Sequence, residues 1–198
     1  MRVRDVMTSP AMTVRRETEI ATAAKLLCDR GFTALPVVND DDELVGIVTE
    51  ADLVARRFPP DPRYRSGPDD GVILARAGST VADVMTTDVL TARTGTDVAA
   101  LAEQMLTRHV RSVPVVEGDR VIGVVSRRDL VRTLARDDNM VARDVRHRLE
   151  IYGGPLRWTV SVHNGVARIR DTRDDLTDRH VATVIAESVP GVTRAEVR

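Results

Sequence analysis

Two stretches of this chain carry a hydroxyl and a carboxylate one helical turn apart. Residues 46–53 read GIVTEADL and residues 123–130 read GVVSRRDL. In each, an apolar run ends on a hydroxyl residue, Thr49 or Ser126, and an aspartate follows three positions later, Asp52 or Asp129. The apolar run predicts a strand, and the hydroxyl stands where a helix N-cap stands. A helix N-terminus presents unpaired N–H groups and a partial positive charge, which attract anions such as phosphate. A hydroxyl there can donate to or accept from a ligand oxygen, and the aspartate can accept from two adjacent hydroxyls, such as those of a ribose. Apolar strands beside them would offer a slot for a flat base. The same residues also have a plain structural role, since an N-cap is worth about 1 kcal/mol and aspartate favours the first helical turn.

The two stretches differ in charge. Copy two places Arg127 and Arg128 between its hydroxyl and its aspartate, and Arg111 ahead of a Pro-Val-Val run. Copy one has Glu50, Ala51 and neutral Thr33 in those places. A polyphosphate needs cations around it, so Arg111, Arg127 and Arg128 are the phosphate-binding candidates. The alternative for Arg127 and Arg128 is a solvated helix face.

The elements that must position these residues recur as well. VRDVMTSPAMTV (3–14) aligns with VADVMTTDVLTA (81–92), and GFTALPVV (31–38) with HVRSVPVV (109–116). Met7 and Met85, like Pro36 and Pro114, are 78 positions apart; Gly46 and Gly123 are 77 apart, a one-residue loss in a polar turn. Each copy predicts an opening Val-Met-Thr segment, a helix, two mostly apolar strands around a turn, and a closing helix. Ile20, Ala24 and Leu27 make the apolar stripe of the first helix in copy one, and Val98, Ala102 and Met105 in copy two. Gly31 closes the first helix. His109 stands in its place in copy two and is one of the better non-glycine residues for a left-handed cap.

With its opening V-x-D-V-M-T, its apolar-Pro-Val-Val strand and its closing Gly-apolar-apolar-(Thr/Ser)-x-x-Asp, the chain resembles a tandem pair of CBS domains, a Bateman module, over about residues 1–136. The resemblance implies a mixed α/β (α+β) fold of two β-α-β-β-α repeats with quasi-two-fold symmetry. It implies that the Thr/Ser and Asp contact phosphate and ribose, and that the base lies in a cleft between the copies. It adds Thr13 and Leu35 to the site of Thr49 and Asp52, and Thr91 and Val113 to the site of Ser126 and Asp129. It also implies a homodimer joined through CBS helices.

The boundaries expected are repeat one at 1–58, a linker at 59–78, repeat two at 79–136 and a further domain at 139–198. RRFPPDPRYRSGPDDG (56–71), with four prolines, reads as an exposed irregular connection. In the tail, NMVARDVRHRLE predicts a helix with Met140, Val141, Val145 and Leu149 on one side. Trp158, Val160 and Val162 alternate as a strand, Asn164-Gly165 marks a hairpin turn, and Val166 and Ile169 follow. A second helix carries Leu176, His180 or Val181, Val184 and Ile185, and PGVTRAEVR starts a last strand. This α-β-β-α-β order, the Asn-Gly hairpin and the V-P-G-V ending resemble a BON domain, a fold of bacterial stress proteins associated with phospholipid. Here the second strand reads VARIRD rather than an apolar run. The tail's basic residues (Arg143, Arg146, Arg148, Arg157, Arg168, Arg170) are mixed with acids, and no helix has a basic-amphipathic membrane character. Docking to protein is therefore expected over docking to lipid.

Composition narrows the function classes. The formal net charge is −1 and aromatics make up 3%, so no global field draws the chain to nucleic acid. The single cysteine, Cys28, excludes an intramolecular disulfide and reads as a buried structural thiol in a cytoplasmic protein. The four histidines lack partners at metal-ligand spacing, and no P-loop or G-x-S-x-G is present. A regulatory protein, not an enzyme, is expected, with AMP, ADP, ATP or S-adenosylmethionine as candidate ligands. The other expectation is a dimerising scaffold with empty clefts.

Overall fold

In a computed structural model of the chain, the described residues are 1–55, 80–173 and 175–198. The proline-rich linker lies outside them. The chain divides into two compact units: one holds Ser9–Ala92 and Arg111–Val124, the other Met1–Thr8, Arg93–Val110 and Val125–Arg198.

The first unit is built on β1 (Val14–Arg15), α1 (Ile20–Arg30), β2 (Ala34–Val38), β3 (Leu44–Thr49) and α2 (Glu50–Val54). β2 pairs parallel to β1 and antiparallel to β3. All five residues of β2 are buried, as a mostly apolar strand requires. α1 buries Ile20, Ala23 and Leu27 rather than the expected Ile20, Ala24 and Leu27; Ala24 is only partly buried. Cys28 is exposed, which corrects the buried thiol: it stands one residue, or 100°, round the helix from the buried Leu27. Gly31 ends α1 with φ 62°.

Copy two repeats these elements as α3 (Val98–Thr107), β4 (Ser112–Glu117), β5 (Arg120–Ser126) and α4 (Arg127–Leu134). α3 buries Val98, Leu101 and Met105 rather than the expected Val98, Ala102 and Met105; Ala102 is only partly buried, the same one-position shift of the stripe as in α1. His109 holds φ 55°, so it takes Gly31's left-handed place despite its Cβ. Ala92 bridges Val115 in parallel, the register that Val14 has with Val37.

The two opening segments are exchanged. Val3–Asp5 forms a short 3-10 turn, and Val3 N–H donates to Thr96 of copy two at 2.9 Å. Val81–Asp83 forms the matching turn, and Val81 N–H donates to Thr18 of copy one at 2.8 Å. In both turns the aspartate of V-x-D-V-M-T closes the start: Asp5 accepts from the Arg2 N–H at 2.8 Å and Asp83 from the Thr80 N–H at 2.9 Å. The exchange explains the glycine that opens GIVTEADL. Thr86 bridges Ile47, and a Cβ on Gly46 would lie 2.8 Å from the Met85 sulfur and 3.0 Å from the Thr86 carbonyl.

The tail lies within the second unit. It comprises α5 (Asp138–Gly153), β6 (Trp158–His163), β7 (Val166–Asp171), α6 (Leu176–Glu187) and β8 (Arg194–Val197). The sheet runs β6-β7-β8, antiparallel and then parallel. Asn164 and Gly165 make the turn with φ 49° and 75°, and the Asp138 carboxylate accepts from both of their N–H groups at 2.8 and 3.1 Å. Val141, Val145, Leu149, Trp158, Val160, Ala167 and Ile169 form the core. Met140, expected on the apolar side of α5, is 49% exposed. On β7 the buried residues are Ala167, Ile169 and Asp171; Val166 cannot share a face with Ile169, three residues on. The buried seam of α6 is Ala182 and Ala186, not Leu176 and Val184, which are 77% and 56% exposed.

Candidate functional site

Thr49 and Asp52 form a complete capping box at the start of α2. The Asp52 Oδ2 accepts from the Thr49 N–H at 2.8 Å and from its hydroxyl at 2.7 Å, and the Asp52 N–H donates to Thr49 Oγ1 at 3.3 Å. Ser126 and Asp129 repeat this at α4, with 2.8, 2.6 and 3.3 Å. The motif therefore builds a rigid corner between strand and helix whatever else it does.

The second carboxylate oxygens differ. Asp129 is 8% exposed, and its Oδ1 accepts from Arg132 Nη1 at 3.2 Å. The position matching Arg132 in copy one is Ala55, and Asp52 Oδ1 has no hydrogen-bond partner among the described residues. Among the described residues, copy one thus keeps one carboxylate oxygen without a partner beside a fixed hydroxyl.

In the first unit, the sheet brings Thr13, Leu35 and Thr49 to one end. Leu35 pairs with Val48, Thr49 with Ala34, and Thr13 immediately precedes Val14, which pairs with Val37. Leu35 is fully buried and Thr13 half-buried. In copy two, Thr91 and Val113 precede Ala92 and Val115 of the parallel bridge and so lie toward the same end; Val113 is fully buried and Thr91 exposed. Ser126 and Asp129 belong to the other unit.

The three candidate phosphate arginines part company. Arg111 and Arg128 are exposed. Arg127 is committed elsewhere: its Nε donates to the Val110 carbonyl at 3.0 Å and its Nη2 to the Met105 carbonyl at 2.9 Å. It thus serves carbonyls left open where α3 ends.

One charged cluster was not foreseen from the sequence. Arg157 is 6% exposed and forms a two-pronged pair with Asp171, at 2.7 and 2.6 Å, and a further pair with Asp178. Tyr152 donates its hydroxyl to Asp178 at 2.7 Å, and the Arg157 guanidinium lies 4.4 Å from the centre of the Trp158 ring. The hydrogen bonds from Arg157 hold the Asp171 carboxyl down at about 2 against its burial, and the same carboxylates push the guanidinium further up. The cluster ties Arg157, which immediately precedes β6, to β7 through Asp171 and to α6 through Asp178, and Tyr152 adds α5. Among the described residues no group of His, Cys, Asp and Glu could hold a metal ion, and no helix is long and apolar enough to cross a membrane.

The two repeated α/β halves, each ending in a capped strand-to-helix corner, form a paired module. The family model "CBS domain" matches residues 3–58 and 81–136, and the chain belongs to the CBS-domain family. Among solved structures it is similar to the CBS domain pair of protein MJ0100 in complex with 5′-methylthioadenosine and S-adenosyl-L-methionine. That likeness is 29% identical, covers 68% of this chain and 96% of that one, and has a TM-score of 0.57. It is also similar to CBSX2 in complex with AMP, at 31% identity, 66% and 93% coverage and a TM-score of 0.55. Among curated proteins, an uncharacterized protein of Methanocaldococcus jannaschii is 31% identical over 134 residues, 68% of this chain and 32% of its own length. A homoserine O-acetyltransferase of Methanococcoides burtonii is 35% identical over 133 residues, 67% of this chain and 24% of its own length. The chain thus spans a third or less of these first relatives, and the acetyltransferase activity lies in a protein of which it matches a quarter. CBS domains are generally regulatory and not catalytic.

Proposed function

We propose that this chain is a regulatory sensor whose CBS pair takes an adenosyl ligand, with copy one the stronger ribose-binding corner. One observation carries this: among the described residues Asp52 Oδ1 has no hydrogen-bond partner, while its Oδ2 holds the Thr49 hydroxyl, at the sheet end where Thr13 and Leu35 also stand. Asp52 accepts from the ribose hydroxyls, and Thr13 and Leu35 border the base. For copy two, Ser126 and Asp129 are the residues equivalent to Thr49 and Asp52, Thr91 and Val113 those equivalent to Thr13 and Leu35, and Arg128 is the exposed cation two residues after Ser126. AMP, ADP, ATP and S-adenosylmethionine are the candidate ligands, and solved CBS pairs similar to this one hold AMP or S-adenosyl-L-methionine. Residues 139–198, BON-like in their sequence marks, pass the ligand-dependent change to a partner. A ligand drives such a change only by its differential affinity for two states. We place the protein in the cytoplasm as a homodimer joined through CBS helices.

A thermal-shift panel with the four ligands at about 1 mM tests this. A site with a Kd of about 10 µM gains about 2.7 kcal/mol at that hundredfold excess. Trp158, the only tryptophan, lies in the tail, so intrinsic fluorescence is the wrong readout. A shift with one ligand, lost in Asp52→Ala, supports the sensor. A second reading is a dimerising scaffold with empty clefts. It is favoured by the two capping boxes, which give Thr49, Asp52, Ser126 and Asp129 a structural role of their own, and no shift with any of the four ligands would count towards it.

A further inference from the structure

Among the described residues, β6 pairs on one side only, with β7, and forms an edge of the tail sheet. In the β6–β7 hairpin, His163 pairs with Val166 across the two-residue turn, so His163, Ser161 and Thr159 exchange their backbone bonds with β7. The alternate residues, Trp158, Val160 and Val162, therefore aim their N–H and C=O groups away from β7. One of these groups has a partner among the described residues: the Val160 carbonyl, which accepts from Arg146 Nη2 at 3.2 Å. The N–H groups of Val160 and Val162 and the carbonyl of Val162 have none there. Beside this edge runs α5, and the two enclose a groove of about 580 Å³ lined by Ala142, Arg143, Arg146, Val160, Ser161 and Val162. Arg143 and Arg146 are exposed, and Arg143 makes no ion pair among the described residues.

An open strand edge flanked by a helix is a template for an added strand, in which backbone bonds give affinity and alternate side chains give selectivity. The floor here, Ala142 and Val162, suits small apolar side chains, and the helix wall is cationic. Two copies of this chain meeting edge to edge would bring four such arginines together, which disfavours self-pairing. We propose that the β6 edge is a docking groove for an extended segment of another protein, alternating acidic and small apolar residues, which adds to the tail sheet as a fourth strand. Arg146 is the placeholder. It satisfies the Val160 carbonyl while the groove is empty and turns to a carboxylate of the peptide once a peptide N–H takes over. This gives the partner-binding part of the proposed function a chemical class, and it does not depend on the adenosyl site.

The probe is a fluorescein-labelled Glu-Val-Glu-Val-Glu-Val peptide added to the full chain with no adenosyl ligand present. Expected are a saturable rise in anisotropy and at least tenfold slower amide exchange at Val160 and Val162. Arg143→Glu/Arg146→Glu should weaken binding at least tenfold, and Arg143→Gln/Arg146→Gln, the variant that decides where the charge reversal disturbs folding, should weaken it by a smaller factor. Arg168→Glu/Arg170→Glu, on the outer face of the sheet, should change it less than threefold. A Glu-Pro-Glu-Pro-Glu-Pro peptide has the same charge but lacks every second N–H, and should not bind. No binding of the first peptide, equal binding of the proline peptide, or unchanged exchange at Val160 and Val162 would overturn the proposal. So would protection of those amides that rises with protein concentration alone, which would make a second copy the occupant. Failure of the adenosyl reading appears in the thermal-shift panel and leaves this assay untouched.

Discussion

Asp52 and Asp129 do the same structural work and differ in what their second oxygen meets. Asp52→Ala removes the carboxylate half of the capping box, leaving the Thr49 cap, and should cost about 1 kcal/mol of stability, together with any adenosyl-induced thermal shift. Arg132→Ala should change stability by less than about 0.5 kcal/mol, because Arg132 is 66% exposed and exposed pairs contribute little. The same substitution frees Asp129 Oδ1, and titration calorimetry should then report tighter binding in copy two. Asp171 carries a pH signature. Its folded pKa, about 2, lies below the ordinary 3.8, so its contribution is complete above about pH 4 and is lost as pH falls towards 2. The urea midpoint of the wild type should fall over that window, and Asp171→Asn should remove most of the fall. Neither Arg157 contact was legible in the sequence, because its partners stand 14 and 21 residues away. The folded hairpin and α6 bring them close, and no local spacing rule reports that. The Thr49 and Ser126 caps were legible because they are local, and the return bond from each aspartate, three residues on, appears only in the structure.

At the scale of elements, the strands, hairpin and helices lay open in the sequence because period, turn residues and caps are short-range signals. The buried face of each helix was less open. α6 buries Ala182 and Ala186 and leaves Leu176 and Val184 outside, since small residues let a helix lie close on its neighbours, and hydrophobicity alone points to the larger side chains. Two cap positions give opposite predictions. His109 holds φ 55°, a conformation that costs a residue with a Cβ about 1 kcal/mol. His109→Gly should therefore raise the melting temperature, and Gly31→Ala should lower it. Gly46→Ala should be more damaging, about 1–3 kcal/mol, because the new methyl meets the Met85 sulfur at 2.8 Å and a backbone oxygen at 3.0 Å. Urea unfolding of the three variants ranks them.

Across the whole molecule, the duplication is visible in the sequence but the exchange of opening segments is not. Both copies carry the same V-x-D-V-M-T, so the pattern fits either partner equally, and only tertiary hydrogen bonds decide. Val3 and Val81 are both fully buried, and Val3→Ala should cost about 2 kcal/mol although it stands near the chain's first residue. The exchange also has a use. A cut in the linker yields two pieces, each missing the same short segment and each carrying the one its counterpart needs. Expressed apart, the pieces should be incomplete; expressed together, they should find each other and reassemble without a covalent link. The repeat pair is in that sense a ready-made split protein, whose halves report on the meeting of whatever they are fused to.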